Sequence, residues 1–244
     1  MSSVSDQSAT DVRPMGGSFE DQKRVDAYVA QGPRVFLPGF EILQVLMRQL
    51  MRERLGDDAA ILCLGAGGGT EIATLREGRP GWTFLGVDPS AEMNHAAEVL
   101  LGDDPNVTLQ TGLIFDAPHE TKKGGPFDGA TFMLALHFIP DDGGKLDTLK
   151  ALHSRLKPGA PLFLANHCND KTASDSELWF DRQNAFALAN GLDPDYAREQ
   201  RKRFTTSLKS VSPARDEDLM AEAGFSDIRL VFAALSWRGW LAHA

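Results

Sequence analysis

The chain has 244 residues, 42% of them hydrophobic and 24% charged, and a formal net charge of −9. This length fits one domain with a sizeable core, while the acidic balance argues against nucleic acid as a partner. The sequence shows neither a long apolar run nor a secretory signal, so we predict no membrane partner and a cytoplasmic location.

The N-terminal part is predicted to lie outside the main sheet. Residues 1–18 are small and polar and are predicted to form a flexible tail, followed by a single domain over 19–244. An arm and a helix make up 19–58. The arm contains Pro33 and Pro38, and we expect it to be irregular or partly helical and to fold over a site. The helix is predicted to bury Ile42, Leu43, Val45, Leu46, Leu50 and Leu55.

From residue 59 onward, apolar runs alternate with helix candidates. The runs, which are typical of strands buried on both faces, are 59–64, 82–87, 106–110, 127–134 and 160–165. The helix candidates between them are 70–77, 90–101 and 144–156. This alternation predicts an α/β fold with a central parallel sheet and helices on both faces.

The C-terminal part breaks this alternation. Residues 166–223 are predicted to form a helical cap inserted into the domain. The last residues contain two strand-like runs joined by a very short link, "FSDIRLVFAALSWRGWLAHA", and such a link permits only an antiparallel hairpin. The prediction is therefore a mostly parallel seven-stranded sheet with an antiparallel last strand.

A glycine-rich segment, "CLGAGGGTE", follows the first predicted strand. Its glycines Gly65, Gly67 and Gly69 permit a tight turn and close approach of a ligand to the backbone. The second strand ends at Asp88, which is placed to accept hydrogen bonds from a ribose. Each feature also has a purely structural explanation, as a plain turn or a helix cap. Together they favour a nucleoside ligand.

The spacing of the three glycines resembles motif I of the class I S-adenosylmethionine-dependent methyltransferases more than the dinucleotide fingerprint. The resemblance covers about 40–244 and includes "LQTGLI", "FDGATFMLALHFIP", "LKPGAPLFLA" and "MAEAGFSDIRLVF". It implies a Rossmann-like class I methyltransferase fold with S-adenosylmethionine as cofactor and S-adenosylhomocysteine as product. The nearest likeness is to the carboxy-S-adenosylmethionine synthases, through "LPGF", "LALHFIP" and "REQRKRF".

The resemblance also implies which residues contact the cofactor. Asp88 would bind the ribose hydroxyls, and Gly65, Ala66 and Gly67 would face the methionine end. The full set implied is Gly65, Ala66, Gly67, Gly69, Asp88, Pro89, Met93, Gly112, Leu113, Met133 and Leu134. Two positions depart from the family pattern, because Cys63 and Leu113 stand where acids are usual or frequent.

Two histidines are candidates for a catalytic base. His137 follows the fourth strand and His167 follows the fifth, at the edge where a substrate would lie, and histidine suits proton removal near neutral pH. The alternative is a structural role for both, with their nitrogens hydrogen-bonded in half-buried loops. Neither the histidines nor the two cysteines, Cys63 and Cys168, have metal-ligand spacing, so we predict no metal.

The basic run "REQRKR" supplies the candidate substrate-binding residues, Arg201 and Arg203. The resemblance to carboxy-S-adenosylmethionine synthases places Arg201 where a carboxylate is bound, while a solvated helix face is the alternative. Three functions stay open: methyl transfer to a small organic acceptor, carboxylation of S-adenosylmethionine using prephenate, and a catalytically inactive binding module. A homodimer is compatible with each of them.

Overall fold

Residues 22–244 form seven β-strands and eight α-helices in the computed structural model, which describes this part of the chain. The predicted tail, 1–18, lies outside the described residues. The strands are β1 (Ala60–Leu64), β2 (Thr83–Asp88), β3 (Val107–Thr111), β4 (Gly129–Met133), β5 (Pro161–His167), β6 (Ser226–Ala234) and β7 (Trp237–His243). The helices are α1 (Gln22–Phe36), α2 (Phe40–Arg54), α3 (Thr70–Arg76), α4 (Ala91–Leu101), α5 (Gly144–His153), α6 (Ser176–Ala189), α7 (Pro194–Ser207) and α8 (Pro213–Glu222).

All seven strands join one sheet in the order β3-β2-β1-β4-β5-β7-β6. Strands β1 to β5 run parallel, whereas β7 runs antiparallel to both β5 and β6. This confirms the predicted fold class. The chain builds outward from β1 to β3 and then returns to the other side of β1 at β4. Such a reversal opens a crevice at the carboxyl ends of the strands, where open α/β sheets bind ligands.

Helices cover both faces of the sheet, as predicted. On one face, Leu149 of α5 and Leu219 of α8 pack with the strands in a buried cluster. On the other, Met47 of α2, Ile72 of α3 and Ala97 of α4 do the same. Because both faces are covered, every residue of β1, β4 and β5 is buried, which explains their continuous apolar sequences.

The arm is helical over most of its described length, the more regular of the two predicted forms. Residues 22–36 form one continuous helix, α1, although Pro33 lies inside it. Proline removes only one helical hydrogen bond, and the carbonyl of Pro33 still accepts from the Leu37 N–H at 2.8 Å. Val25 and Phe36 are buried, so tertiary packing holds the helix together where local propensity does not.

The buried side of α2 differs from the predicted one. Ile42 is 62% exposed and Val45 is 51% exposed, so these two predictions were wrong. The buried stripe is Phe40, Leu43, Gln44, Met47 and Met51. These positions follow the helical period, and the side opposite them carries Ile42 and Val45. The correction brings a polar side chain, Gln44, to the side of α2 that faces the sheet.

Candidate functional site

A cavity of about 250 Å³ lies at the carboxyl ends of β1, β2 and β4, at the reversal in strand order. Leu64, Asp88 and Met133, the last residues of these strands, line it. Helix α1 contributes Tyr28 to the lining, and helix α2 contributes Gln44. The fold therefore places a cavity where the sequence predicted a ligand.

The glycine-rich turn forms one wall of this cavity. Gly65 and Gly67 have φ values of +67° and +48°, a region that favours glycine. A Cβ added to Gly65 would lie 2.5 Å from the Cβ of Ala135, so the turn has no room for a side chain there. Gly69 does not line the cavity; it precedes α3, and a Cβ there would lie 3.1 Å from the Cβ of Ala97. Its role in the structure is close packing of α3 on α4.

Asp88 joins the second strand to the glycine turn. Its Oδ2 accepts a hydrogen bond from the Gly67 N–H and its Oδ1 accepts one from the Ser90 N–H, both at 2.9 Å. Burial raises the pKa of this carboxyl, and the two backbone hydrogen bonds oppose that rise. Because each carboxylate oxygen can accept a second hydrogen bond, Asp88 can hold the turn and bind a ligand hydroxyl at once.

The cavity gathers ten of the eleven residues proposed for the cofactor, all except Gly69. They come from four turns that are distant in sequence and meet at the strand ends: Gly65, Ala66, Gly67, Asp88, Pro89, Met93, Gly112, Leu113, Met133 and Leu134. Leu134 has a φ of +56°, which is rare for a residue other than glycine. Its N–H donates to the Ala165 carbonyl at 2.7 Å, which fixes the turn after β4.

Sequence reasoning missed three polar residues at the cavity: Tyr28, Gln44 and Glu71. Glu71 is buried, and this burial, together with the charge of Asp88, raises its pKa well above the usual range. Burial also raises the pKa of the Tyr28 phenol, with Glu71 and Asp88 adding to the rise. Among the described residues that line the cavity there is no lysine, arginine or histidine. Its charged groups are therefore acidic.

The structure places both candidate bases away from the cavity lining. His137 is 3% exposed and His167 is fully buried, and neither lines the cavity. The Nδ1 of His137 lies 2.8 Å from the Asn166 Oδ1. In His167, Nδ1 lies 2.7 Å from the Ser210 hydroxyl and Nε2 lies 2.9 Å from the Gln183 Oε1. This geometry favours the structural alternative, and the base role remains only a prediction.

Burial also changes the protonation of these rings. It lowers the pKa of His137 well below its ordinary value and lowers that of His167 to about 4. Both imidazoles are therefore neutral at physiological pH. A neutral imidazole still accepts a proton, but the Nδ1 of His137 and both ring nitrogens of His167 already have partners in the core.

The two candidate substrate arginines also lie apart from the cavity lining. Arg201 on α7 donates to Asp181 and Glu177 of α6, at 2.8 and 2.9 Å. Arg203 lies 3.7 Å from Glu199, one turn earlier in the same helix. Both guanidinium groups are thus paired with carboxylates at the surface of the helices. This arrangement favours the alternative reading of the basic run, a helix face exposed to solvent.

Within the described part of the chain, no three His, Cys, Asp or Glu side chains are grouped so that they could hold a metal ion. No helix in that part has the length and apolar character needed to cross a membrane.

Removing the first 32 residues is expected to weaken binding of S-adenosylhomocysteine at least about tenfold, because a large side chain in contact with a ligand contributes roughly 1.5 kcal/mol or more. The deletion takes Tyr28 from the cavity wall and Val29 from the Gly68 turn, where its Cγ2 lies 2.9 Å from the position of an added Cβ. Calorimetry measures the affinity, with deletion of 1–21 as the control. Equal affinity for both truncated proteins would contradict a role of α1 in the site.

Comparison with known proteins gives a domain match and several structural neighbours. A family model of the methyltransferase domain matches residues 62–162. Among proteins of curated function, none matches this sequence. A candidate methyltransferase solved with the Trm112 methyltransferase activator of Haloferax volcanii is similar over 90% of this chain and 97% of its own, with 18% identity and a TM-score of 0.59.

Two further neighbours were solved with a cofactor or its product. Human N-acetylserotonin methyltransferase in complex with SAM has a TM-score of 0.54 and 17% identity, over 91% of this chain and 54% of that one. PigF with SAH has a TM-score of 0.61 and 15% identity, over 93% of this chain and 61% of that one. This chain thus spans little more than half the length of these two proteins. At such identities the comparison establishes the fold, which is the class I methyltransferase fold.

Proposed function

We propose that this protein is an S-adenosylmethionine-dependent methyltransferase that acts on a small organic molecule by in-line methyl transfer. The observation that carries the proposal is the hydrogen bond between Asp88 and the Gly67 N–H, which joins the end of β2 to the glycine turn at one cavity. The methyltransferase-domain match over residues 62–162 supports it. So do the neighbours solved with SAM and SAH.

The residues present fit this cofactor. At Gly67 a Cβ would meet only the Gly65 carbonyl oxygen, at 3.8 Å, so a ligand can lie against this part of the backbone. Asp88 offers carboxylate oxygens to ribose hydroxyls, and Pro89, Met93 and Leu113 offer apolar surface to a planar base. When bound, the cofactor supplies a methyl group on a positively charged sulfur. The acidic cavity suits such a cation, since it holds Glu71 and Asp88 without a basic residue in the described lining.

The chain's own contribution to rate is positioning. An in-line displacement needs the nucleophile close to the methyl group and aligned with it, and good orientation contributes on the order of 7–11 kcal/mol. Met133 and Leu134 at the end of β4, with Phe138 after them, offer an apolar wall that excludes water there. We propose that the acceptor lies along this wall. Its identity, the expected cytoplasmic location and a homodimer remain predictions.

The carboxy-S-adenosylmethionine synthase alternative would need a cation for the extra carboxylate. Arg201 and Arg203 are paired with surface acids and do not line the cavity. No described residue offers that cation at the cavity, so the structure adds no support to this alternative. A labelled-methyl assay with a panel of small nucleophiles tests turnover. Tight binding of S-adenosylhomocysteine without transfer to any acceptor would favour the inactive binding module.

Asp88→Ala is expected to weaken binding of S-adenosylhomocysteine about 10- to 100-fold, because a hydrogen bond to a charged group contributes roughly 1.5–3 kcal/mol. Isothermal calorimetry measures the affinity. Asp103→Ala, which removes an exposed acid beyond α4, is the control for the change in net charge. If Asp88→Ala binds as tightly as the natural chain, the proposed placement of the ribose is wrong.

A further inference from the structure

The cavity contains two buried acceptor atoms whose partners are missing within the described chain. Glu71 and Gln44 are each 7% exposed and both line the cavity. The Glu71 Oε2 and the Gln44 Oε1 have no hydrogen-bond partner among the residues described. Buried polar atoms in native proteins are nearly always hydrogen-bonded, and an unpaired one is costly. Two of them on the walls of one ligand cavity indicate that a ligand supplies the donors.

The chemistry of the two atoms restricts that ligand. The amide oxygen of Gln44 can only accept a hydrogen bond, so the ligand must donate to it. A cationic donor would also oppose the burial and the Asp88 charge that raise the pKa of Glu71, and so would keep Glu71 an ionised acceptor. Asp88 acts on Glu71 as a like charge, and no lysine, arginine or histidine in the described lining offsets the two acids. A ligand group that is positively charged and carries several N–H bonds satisfies both conditions. A primary ammonium does so, with three donors and no acceptor.

The sulfonium of S-adenosylmethionine does not meet these conditions, because it carries charge but no N–H bond. The α-ammonium of its methionine part meets both. We propose that Glu71 and Gln44 bind this ammonium group. The proposal rests on the proposed function, since it presupposes an S-adenosyl ligand in the cavity.

The position of Glu71 supports this assignment. It is the second residue of α3, directly after the glycine turn, and the family resemblance places the methionine end of the cofactor at Gly65, Ala66 and Gly67 of that turn. It also acts electrostatically on Cys63, since burial and then the charge of Glu71 raise the pKa of that thiol to about 12. Cys63 occupies the position where an acid is usual in the family that the sequence resembles. In this chain, Glu71 supplies a carboxylate close to that position from the following helix.

The test compares three ligands by calorimetry: S-adenosylhomocysteine, its desamino analogue, which keeps the carboxylate, and 5′-methylthioadenosine, which lacks the amino-acid part. Glu71→Gln is expected to weaken binding of S-adenosylhomocysteine about 10- to 100-fold. It should leave the affinity for the other two ligands within about twofold, since they carry no ammonium. Asp88→Asn is the matched control, because it should weaken all three ligands together.

Each remaining outcome overturns the proposal. If Glu71→Gln binds S-adenosylhomocysteine with unchanged affinity, the Glu71 carboxylate contacts the methyl acceptor or no ligand, and it does not bind the ammonium group. Equal affinity of the natural chain for S-adenosylhomocysteine and its desamino analogue would show that the ammonium makes no useful contact. Failure of the natural chain to bind any of the three would overturn the proposed function as well. Gln44→Leu, measured with the same ligands, provides a second variant, and thermal unfolding without ligand checks that each variant is folded.

Discussion

Gly65→Ala should be among the most damaging single substitutions in this chain, lowering the free energy of unfolding by about 2–4 kcal/mol. An alanine held at a φ of +67° costs on the order of 1 kcal/mol or more. Its Cβ would lie 2.5 Å from the Cβ of Ala135, and overpacking of this kind costs typically 1–3 kcal/mol. Relief of the clash requires the turn to move, so binding of S-adenosylhomocysteine should be lost with it. Urea unfolding and calorimetry measure the two effects.

The double variant with Gly65→Ala and Ala135→Gly separates the two causes. It removes the Cβ that the new methyl group meets and keeps the unfavourable φ at position 65. We expect it to recover the overpacking part of the loss, about 1–3 kcal/mol, so that the two substitutions are not additive. A double variant that is no more stable than Gly65→Ala would show that Ala135 is not the constraint. The turn would then depend on φ alone.

The fold was predictable because its signals are local. Strands covered on both faces have continuous apolar sequences, as in 59–64 and 160–165, and these can be identified without knowledge of the rest of the chain. The very short link between β6 and β7 permits only one direction for the last strand. The glycine turn and Asp88 stand next to strand ends, so their meeting at one cavity also follows from the topology.

The polar walls of the site were not predictable in the same way. Gln44 was missed because the buried side of α2 was assigned from its branched apolar residues. Of these only Leu43 belongs to the buried stripe of α2, which also contains Phe40, Gln44, Met47 and Met51. Glu71 was visible next to the glycines, but a carboxylate at a helix start is usually solvated, and only the folded structure shows that this one is buried. Whether a charged residue is buried depends on how distant parts of the chain pack together, and the local sequence does not specify that packing.

The histidines illustrate a further limit. Their place at or after strands β4 and β5 puts them near the ligand-binding edge, but not on the side of the strand that faces the cavity. Helices α6 and α7 supply Phe180 and Phe204, whose rings stack on His167 at interplanar angles of 15° and 20°. No pattern in the sequence joins those residues to His167, because they meet only once the cap has folded.

His167→Phe is expected to lower the free energy of unfolding by about 2–4 kcal/mol at pH 7.5. It keeps a ring between Phe180 and Phe204 but leaves the Ser210 hydroxyl and the Gln183 Oε1 buried without their partner, at roughly 1–3 kcal/mol for each lost bond. Urea unfolding measures the loss. His95→Gln is the control, since His95 lies on the surface with 65% of its side chain exposed. A fully stable His167→Phe protein that has lost turnover would instead restore the predicted base.

The same variant should change how stability depends on pH. Burial lowers the pKa of His167 from 6.5 to about 4 in the folded protein. Between pH 4 and pH 6.5 this imidazole is therefore protonated in the unfolded chain and neutral in the folded protein. The contribution of His167 to the free energy of unfolding is therefore complete above pH 6.5 and decreases as the pH falls toward 4. At pH 5 the decrease amounts to about 2 kcal/mol. Asp216, whose pKa burial raises to about 6, acts in the opposite direction but is present in both proteins. The difference between the natural chain and His167→Phe should thus shrink by about 2 kcal/mol from pH 7.5 to 5. A constant difference would show that the His167 ring titrates normally and is not enclosed in the core.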